Sequence, residues 1–318
     1  MDQYKNIFVT GSIAFDSIMD FPGEFKTYFH PDRLHQINVS FVVEKMEKQL
    51  GGTGSNIAYN ISLISKIKNQ KSKIYLVGSI GKDGNEFVKF FKKNNINING
   101  IIVEKKLYTS AGSVITDLKN SQIWGFYYGA SEKIPYTDFT KINKKTDLLI
   151  ISANHKNSFL YFQREAVKNE IDYLYDPGMA LTWISDQDLE EGVKNCRYLV
   201  GNDYEITMII KRIGKTVKEL TSYGLKIITT LGEEGVRYEE KSKIIQIPIY
   251  KVRKVIDPTG AGDAWRGGFV AGLLMCYQTK DCLKLGNVMA SFAIEKYGTV
   301  NHKPTKAEIE RRMMKLSR

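Results

Sequence analysis

Asp257-Pro258-Thr259-Gly260-Ala261-Gly262-Asp263 is a glycine-rich turn that runs straight into an apolar stretch, Ala264 to Tyr277. It reads as the start of a buried helix. The first four N–H groups of a helix lack intrahelical partners, and the helix dipole adds positive partial charge there. Glycines let a ligand approach those donors closely, which makes an anion site suited to phosphate. Asp263 lies among the donors. A carboxylate there is badly placed to hold phosphate and well placed to take a proton from a hydroxyl attacking it. Gly260, Ala261 and Gly262 are the expected anion hole and Asp263 the expected general base; the plainer alternative is an ordinary N-cap. A P-loop is excluded because no Lys-Ser/Thr pair follows the last glycine. A dinucleotide fingerprint starting at Gly260 is excluded because Trp265 stands where its third glycine belongs.

Upstream, short apolar runs alternate with helical stretches. Ile7–Thr10, Ile74–Val77, Leu148–Ile151, Tyr173–Tyr175, Tyr198–Val200 and Ile227–Thr230 have the pattern of buried parallel strands. Asn56–Ile67, Glu86–Asn94, Phe159–Asn169, Tyr204–Arg212 and Val217–Tyr223 read as helices. The alternation predicts one α/β domain with a doubly wound, mainly parallel sheet. Val236–Glu239 and Ile244–Ile247 read as a hairpin, and helices dominate after Gly262. Two segments break the alternation, Ser17–Gln49 and Leu107–Tyr128. In them Gln36–Val43 and Gly112–Leu118 alternate apolar and polar residues, and Asp117-Leu118-Lys119-Asn120 suits a hairpin turn. The two segments are expected to pair as one small sheet, the alternative being long ordinary loops.

The chain has 318 residues and a net charge of +11, with lysines dispersed in short groups rather than clustered in a nucleic-acid motif. A solvated surface is the expected reading, with a field that favours anionic substrates. No apolar run has the length of a membrane span, and no signal-peptide pattern opens the chain. Three cysteines without a C-x-x-C pair and four histidines without metal spacing point to a reduced, cytoplasmic protein with no zinc site.

Other candidates are read from position. Arg266 lies about one helical turn past Asp263, where its fork suits phosphate oxygens. Asp16 is expected to close the first strand and to accept hydrogen bonds from two vicinal hydroxyls. Asn56 follows the Gly51-Gly52 turn, as a ligand donor or a cap. Asn202 and Glu205 have capping-box spacing, while Glu205 also suits a magnesium ion held through water.

Four elements together resemble the ribokinase-like (PfkB) carbohydrate kinases: Asp257–Asp263, Gly51-Gly52-Thr53-Gly54-Ser55-Asn56-Ile57-Ala58, Asn202-Asp203-Tyr204-Glu205, and Thr229-Thr230-Leu231-Gly232-Glu233-Glu234-Gly235. Within that family Thr10–Asp16, Phe21–Phe25, Val39-Ser40-Phe41 and Phe126–Ala130 look like bacterial adenosine kinases. Gly112 and Trp183 depart from that pattern, an aromatic and a polar or basic residue being usual there. The resemblance implies transfer of the γ-phosphoryl of MgATP to the 5′-hydroxyl of adenosine. Another nucleoside, ribose or a phosphosugar is the alternative acceptor, and a silent nucleoside-binding protein the alternative class. It implies Ser12, Asp16, Ser40, Gly52, Asn56, Phe126 and Arg266 for the acceptor. For the nucleotide it implies Asn202, Glu205, Thr230, Gly232, Gly235, Thr259 and Asn287, with Asp257 at a monovalent-cation (K+) site. A main domain of residues 1–16, 48–108 and 128–318 then carries a β lid of 17–47 and 109–127. Relatives pair through their lids, and a homodimer is expected through Ile37, Val39, Phe41 and Val43, with Val114, Leu118 and Trp124 adding apolar area.

Overall fold

The computed structural model describes residues 4–29, 38–68, 72–119 and 121–316. β1 (Asn6–Thr10) leads to β2 (Ala14–Asp20) and β3 (Lys45–Gly51), followed by α1 (Thr53–Ile67), β4 (Lys73–Gly81), α2 (Asn85–Lys93) and β5 (Asn97–Glu104). β6 (Ser110–Thr116) and β7 (Gln122–Tyr127) form a hairpin. Alternation resumes with β8 (Asp147–Ser152), α3 (Lys156–Lys168), β9 (Tyr173–Asp176), α4 (Asp186–Asn195), β10 (Tyr198–Asn202), α5 (Asp203–Ile213), α6 (Val217–Ser222) and β11 (Lys226–Thr230). A second hairpin, β12 (Val236–Glu240) and β13 (Lys243–Ile247), precedes α7 (Ala261–Leu274), α8 (Thr279–Ala293) and α9 (Lys306–Lys315).

Among the described residues the strands build two sheets. The larger has the order β13-β12-β11-β10-β9-β8-β1-β4-β5, parallel from β11 to β5 and antiparallel at β12 and β13. Successive side chains of a strand face opposite layers. Leu148 and Ile150 enter one core with residues of α1, α7 and α8, while Leu149 and Ile151 enter a second with residues of α3, α4, α5 and α6. Burial on both faces is why these strands read as continuous apolar runs. The order reverses at β1, which lies between β4 and β8; ligands of open α/β sheets bind beyond the carboxyl ends of the strands at such a point. No described helix is long and apolar enough to cross a membrane, and the three cysteines are free.

The smaller sheet has the order β3-β2-β6-β7. It departs from expectation in three ways. Residues 38–43 form no strand; the strand that pairs with β2 is β3, Lys45–Gly51, which starts after the expected Gln36–Val43 has ended. Phe41 instead packs with Phe21, Phe25, Tyr28 and Phe29 in an aromatic cluster, and Ile37 lies outside the described residues. Second, Asp16 does not close β1. It lies in β2, inside the small sheet, because the chain turns at Gly11–Ile13 and leaves the main sheet before Ala14. β2 and β3 thus carry the small sheet out to Ala14 and Gly51, past the expected limits of 17 and 47, while β6 and β7 fall within the expected 109–127. Third, its faces are sorted differently. Asp16, Gly112 and Phe126 are mutual partners across β2, β6 and β7, so Trp124, two residues from Phe126, shares their face. Val114 is buried, and the opposite face carries Met19, Met46, Ile115 and Ile123. The turn Asp117–Lys119 does close the β6–β7 hairpin, with Asp117 N–H donating to the Ser121 carbonyl at 3.0 Å.

Candidate active site

The carboxyl edge of the main sheet meets the N-terminus of α7 at Asp263. Gly260, at φ 76°, caps that helix in the left-handed conformation glycine tolerates. A β-carbon there would also sit 2.8 Å from the side chain of Thr299. Ala264 N–H closes the first helical bond to Gly260 O at 2.9 Å. Ala261 N–H is engaged with Pro258 O at 3.2 Å, so of the expected anion hole it is the member already partnered. The N–H groups of Gly262 and Asp263 belong to the first turn, where a helix supplies no acceptor.

Desolvation raises the Asp263 carboxyl to about 6, opposed by the charge of Arg266 and by a hydrogen bond from Asn56. That bond runs from Asn56 Nδ2 to Asp263 Oδ2 at 2.8 Å. Arg266 is held by Asp176, with Nη1 lying 2.9 Å from where a β-carbon on Gly262 would sit. It donates through Nη2 to Asp176 Oδ1 at 2.6 Å and pairs through Nε with Oδ2 at 2.5 Å, both side chains being buried. Asp176 ends β9, so this ion pair fastens α7 to the edge of the sheet. Its position one turn past Asp263 was legible; its buried partner 90 residues away was not.

Asp16 is buried and raised to about 7, by desolvation first and then by the negative charges of Asp263 and Asp257; the Gly52 N–H acts the other way. The small sheet thus aims a carboxyl at the N-terminus of α7. Glycines surround it. A β-carbon on Gly51 would overlap Asp16 Oδ2, and one on Gly112 would lie 3.1 Å from Asp16 Oδ1, 3.2 Å from the Trp124 ring and 3.4 Å from the Phe126 ring. A carboxyl and two aromatic rings therefore crowd one point, where a β-carbon at 112 would press on all three. Trp124, which sequence reading assigned to the outer face, joins this cluster; its strand parity with Phe126 is the signal that finds it. Gly52, at φ 90°, would collide with Ser12 O if it carried a β-carbon.

Several expected ligands also make hydrogen bonds within the scaffold. Ser12 caps α1: its Oγ accepts Thr53 N–H at 3.0 Å and its carbonyl accepts Gly54 N–H at 3.0 Å. Asn287 is fully committed, accepting from Trp265 Nε1 at 2.8 Å and donating to Pro248 O at 2.7 Å, so it ties α7 and α8 to the loop after β13. Ser40 is exposed in the segment without strand. Trp183 packs edge-on against Phe159 in the second core, which accounts for an aromatic at that position. Asp257 accepts Thr259 N–H and Gly298 N–H, each at 2.9 Å, and so braces the turn before α7 against the loop after α8. Each of its oxygens thus accepts one backbone N–H and keeps a further lone pair; no group of three or more His, Cys, Asp or Glu placed for a metal occurs among the described residues.

On the other side, Asn202 caps α5 and forms a full capping box with Glu205, whose Oε2 accepts Asn202 N–H at 2.8 Å. The second Glu205 oxygen is left for another partner, and its charge acts on Asp263, Asp176 and Arg266. A hydrated magnesium ion fits that arrangement, since it binds through few carboxylates and keeps its waters. Thr230 ends β11, and the Gly232–Gly235 turn closes onto β12 with Leu231 N–H donating to Gly235 O at 2.8 Å.

The model of the pfkB family of carbohydrate kinases matches residues 15–306. The nucleoside kinase of Methanocaldococcus jannaschii is 27% identical over 90% of this chain and 93% of its own length. A ribokinase of Lactococcus lactis is also 27% identical, over 84% of this chain and 86% of its own. The solved nucleoside kinase of Burkholderia thailandensis in complex with inosine superposes with a TM-score of 0.87 at 27% identity, covering 98% of this chain and 97% of that one.

Proposed function

The chain belongs to the pfkB family of carbohydrate kinases, and we propose that within it the chain is a purine nucleoside kinase. It transfers the γ-phosphoryl of MgATP to the ribose 5′-hydroxyl of adenosine or inosine. One observation carries the choice of acceptor: Asp16 and the rings of Trp124 and Phe126 crowd one point over Gly112. Ionised Asp16 accepts hydrogen bonds from the vicinal 2′- and 3′-hydroxyls. The attached base then lies within reach of two aromatic faces, and stacking of a base on such a face is worth about 1–3 kcal/mol. A free sugar would leave those rings without a partner. The 5′-hydroxyl faces Asp263, which takes its proton as the oxygen attacks. MgATP supplies the phosphoryl group, its charge balanced by the metal. The N–H groups of Gly262 and Asp263 hold the charge that develops on the phosphoryl oxygens; losing one such donor typically costs about 3 kcal/mol. Glu205 holds magnesium through water, and the Thr230–Gly235 turn lines the donor side. The relatives' names support a nucleoside as acceptor and leave ribose as the second reading.

The outer face of the small sheet, with Met46 67% exposed beside Met19, Ile115 and Ile123, is the surface through which two copies pair. A monomer on sedimentation at micromolar concentration would remove that pairing and leave the chemistry untouched.

Initial rates of ADP formation with adenosine, inosine, cytidine, ribose and fructose 6-phosphate test the acceptor. The expected order places adenosine and inosine first in kcat/KM, at least about tenfold above ribose. Ribose in first place would replace this reading with a sugar kinase.

A further inference from the structure

Asp263 has two carboxylate oxygens, and they are not equivalent. Oδ2 accepts Asn56 Nδ2–H at 2.8 Å. Asn56 lies in the first turn of α1 and is buried. Its own carbonyl, Oδ1, faces Thr299 Oγ1 at 2.8 Å. The same hydroxyl lies 3.1 Å from the carbonyl of Leu50, the residue before Gly51 at the end of β3. Thr299 is buried too, and its side chain is what a β-carbon on Gly260 would strike.

The chemistry of these groups restricts the arrangement. A carboxylate oxygen only accepts, so the end of Asn56 that faces it must be the amide nitrogen. The other end is then an acceptor and needs a donor, which the Thr299 hydroxyl provides. A flipped amide would set two oxygens against each other at Asp263. The hydroxyl holds a single hydrogen and faces two acceptors, Asn56 Oδ1 and Leu50 O, so it is shared between the base and the root of the small sheet.

We propose that Asn56, locked by Thr299, is the positioning residue of the catalytic base: it occupies Asp263 Oδ2 and so leaves Oδ1 as the oxygen that receives the acceptor's proton. Proton transfer then has one geometry. The acceptor O–H bond breaks and its proton bonds to Oδ1; the electron pair left on the acceptor oxygen attacks the γ-phosphorus, and the bond from that phosphorus to the β,γ-bridging oxygen of ATP breaks, its electrons leaving with ADP. Thr299 ties that geometry to Leu50, so the strand that bounds the acceptor site and the base are held by the same hydrogen. The hydrogen bond also favours the ionised form of Asp263. This assignment rests on the reading of Asp263 as the base. It differs from the role the resemblance implies for Asn56, which is contact with the acceptor.

The test is the pH profile of kcat for Asn56→Ala, Thr299→Val and Thr299→Ser, measured with the best acceptor of the unmodified enzyme. Asn56→Ala is expected to lower kcat about tenfold or more and to move the acidic limb to higher pH, with the acceptor KM changed less than about threefold. Thr299→Val moves the same limb by less, and Thr299→Ser restores it. If Asn56→Ala does not fold, the Thr299 pair carries the test alone. A raised acceptor KM with kcat and the acidic limb unmoved makes Asn56 an acceptor ligand and overturns the proposal. A limb that Thr299→Val leaves in place overturns the lock. An unmodified enzyme active on sugars and not on nucleosides defeats only the choice of acceptor, and the same profiles still decide; an inactive enzyme defeats both.

Discussion

Asp16 and Asp263 are two carboxyls that burial has pushed out of the ordinary range, to about 7 and about 6, and the charge of Asp263 adds to the rise at Asp16. Their tasks differ. Asp263 must be ionised to take a proton, and its environment of N–H groups, Asn56 and Arg266 favours that form near neutral pH. Asp16 must be ionised to accept two hydroxyl protons at once. Nucleoside KM is therefore expected to fall as pH rises from 6 to 8 and to level off above that, while the KM for ATP stays flat over the range. Asp16→Asn should hold the acid-side KM at every pH, and a 2′,3′-dideoxynucleoside should be a poor acceptor. Steady-state kinetics at four or five pH values decide it. A flat nucleoside KM would remove Asp16 from contact with ribose.

At the scale of elements, the segments that carry the chemistry also carry their own folding instructions, and some positions do both. Asn202 and Glu205 form a capping box at the start of α5, and Glu205 keeps one oxygen for magnesium. Asn202→Ala is expected to cost about 1 kcal/mol of stability through the cap. Glu205→Gln preserves a reaching acceptor but removes the charge, so it should leave the melting temperature within a few degrees and raise the magnesium concentration needed for half-maximal rate severalfold. Equal magnesium dependence in Glu205→Gln and the unmodified enzyme would assign Glu205 to the cap alone. What was legible in the sequence follows the same division. The parallel strands were readable because both their faces are buried, as in β8, and the helices because one stripe is. β3, Lys45–Gly51, was not, since Lys45, Glu47, Lys48 and Gln49 leave no apolar alternation; its backbone pairing with β2 places it. α4 is polar with only Leu189, Gly192 and Val193 buried, and β5 is broken by Gly100. The segment that did alternate, residues 38–43 in its described part, spends its aromatic on a local cluster instead.

In the whole molecule, the site is an assembly of distant stretches. The glycine turn of α7 and the Gly51-Gly52 turn could be read locally, because each needs a backbone shape or a close approach that glycine alone supplies. The Arg266–Asp176 pair and the Asn56–Asp263 bond join residues 90 and 207 positions apart, and no local pattern announces them. The assembly leaves a thermodynamic signature. A carboxyl raised in the fold above its ordinary 3.8 binds more protons folded than unfolded between the two values. Stability contributed by that group is present below about pH 4 and is lost as pH rises through 7. Asp16→Asn, with no acceptor bound, should therefore be more stable than the unmodified protein at pH 8, by on the order of 3 kcal/mol, and no more stable at pH 4. Thermal melts at the two pH values report this; equal differences at both would mean that burial does not strain Asp16.

The central claim is that this chain moves a phosphoryl group onto a nucleoside with Asp263 as the base. It is tested most directly by following labelled phosphate from MgATP carrying the label at the γ position. With adenosine or inosine, the unmodified enzyme is expected to form labelled nucleoside 5′-monophosphate and ADP in equal amounts. Asp263→Asn should do so at least about 100-fold more slowly while binding ADP normally, since general-base assistance is typically worth 10²–10⁴. No labelled nucleoside monophosphate from either acceptor, or an Asp263→Asn enzyme that keeps its rate, would contradict it.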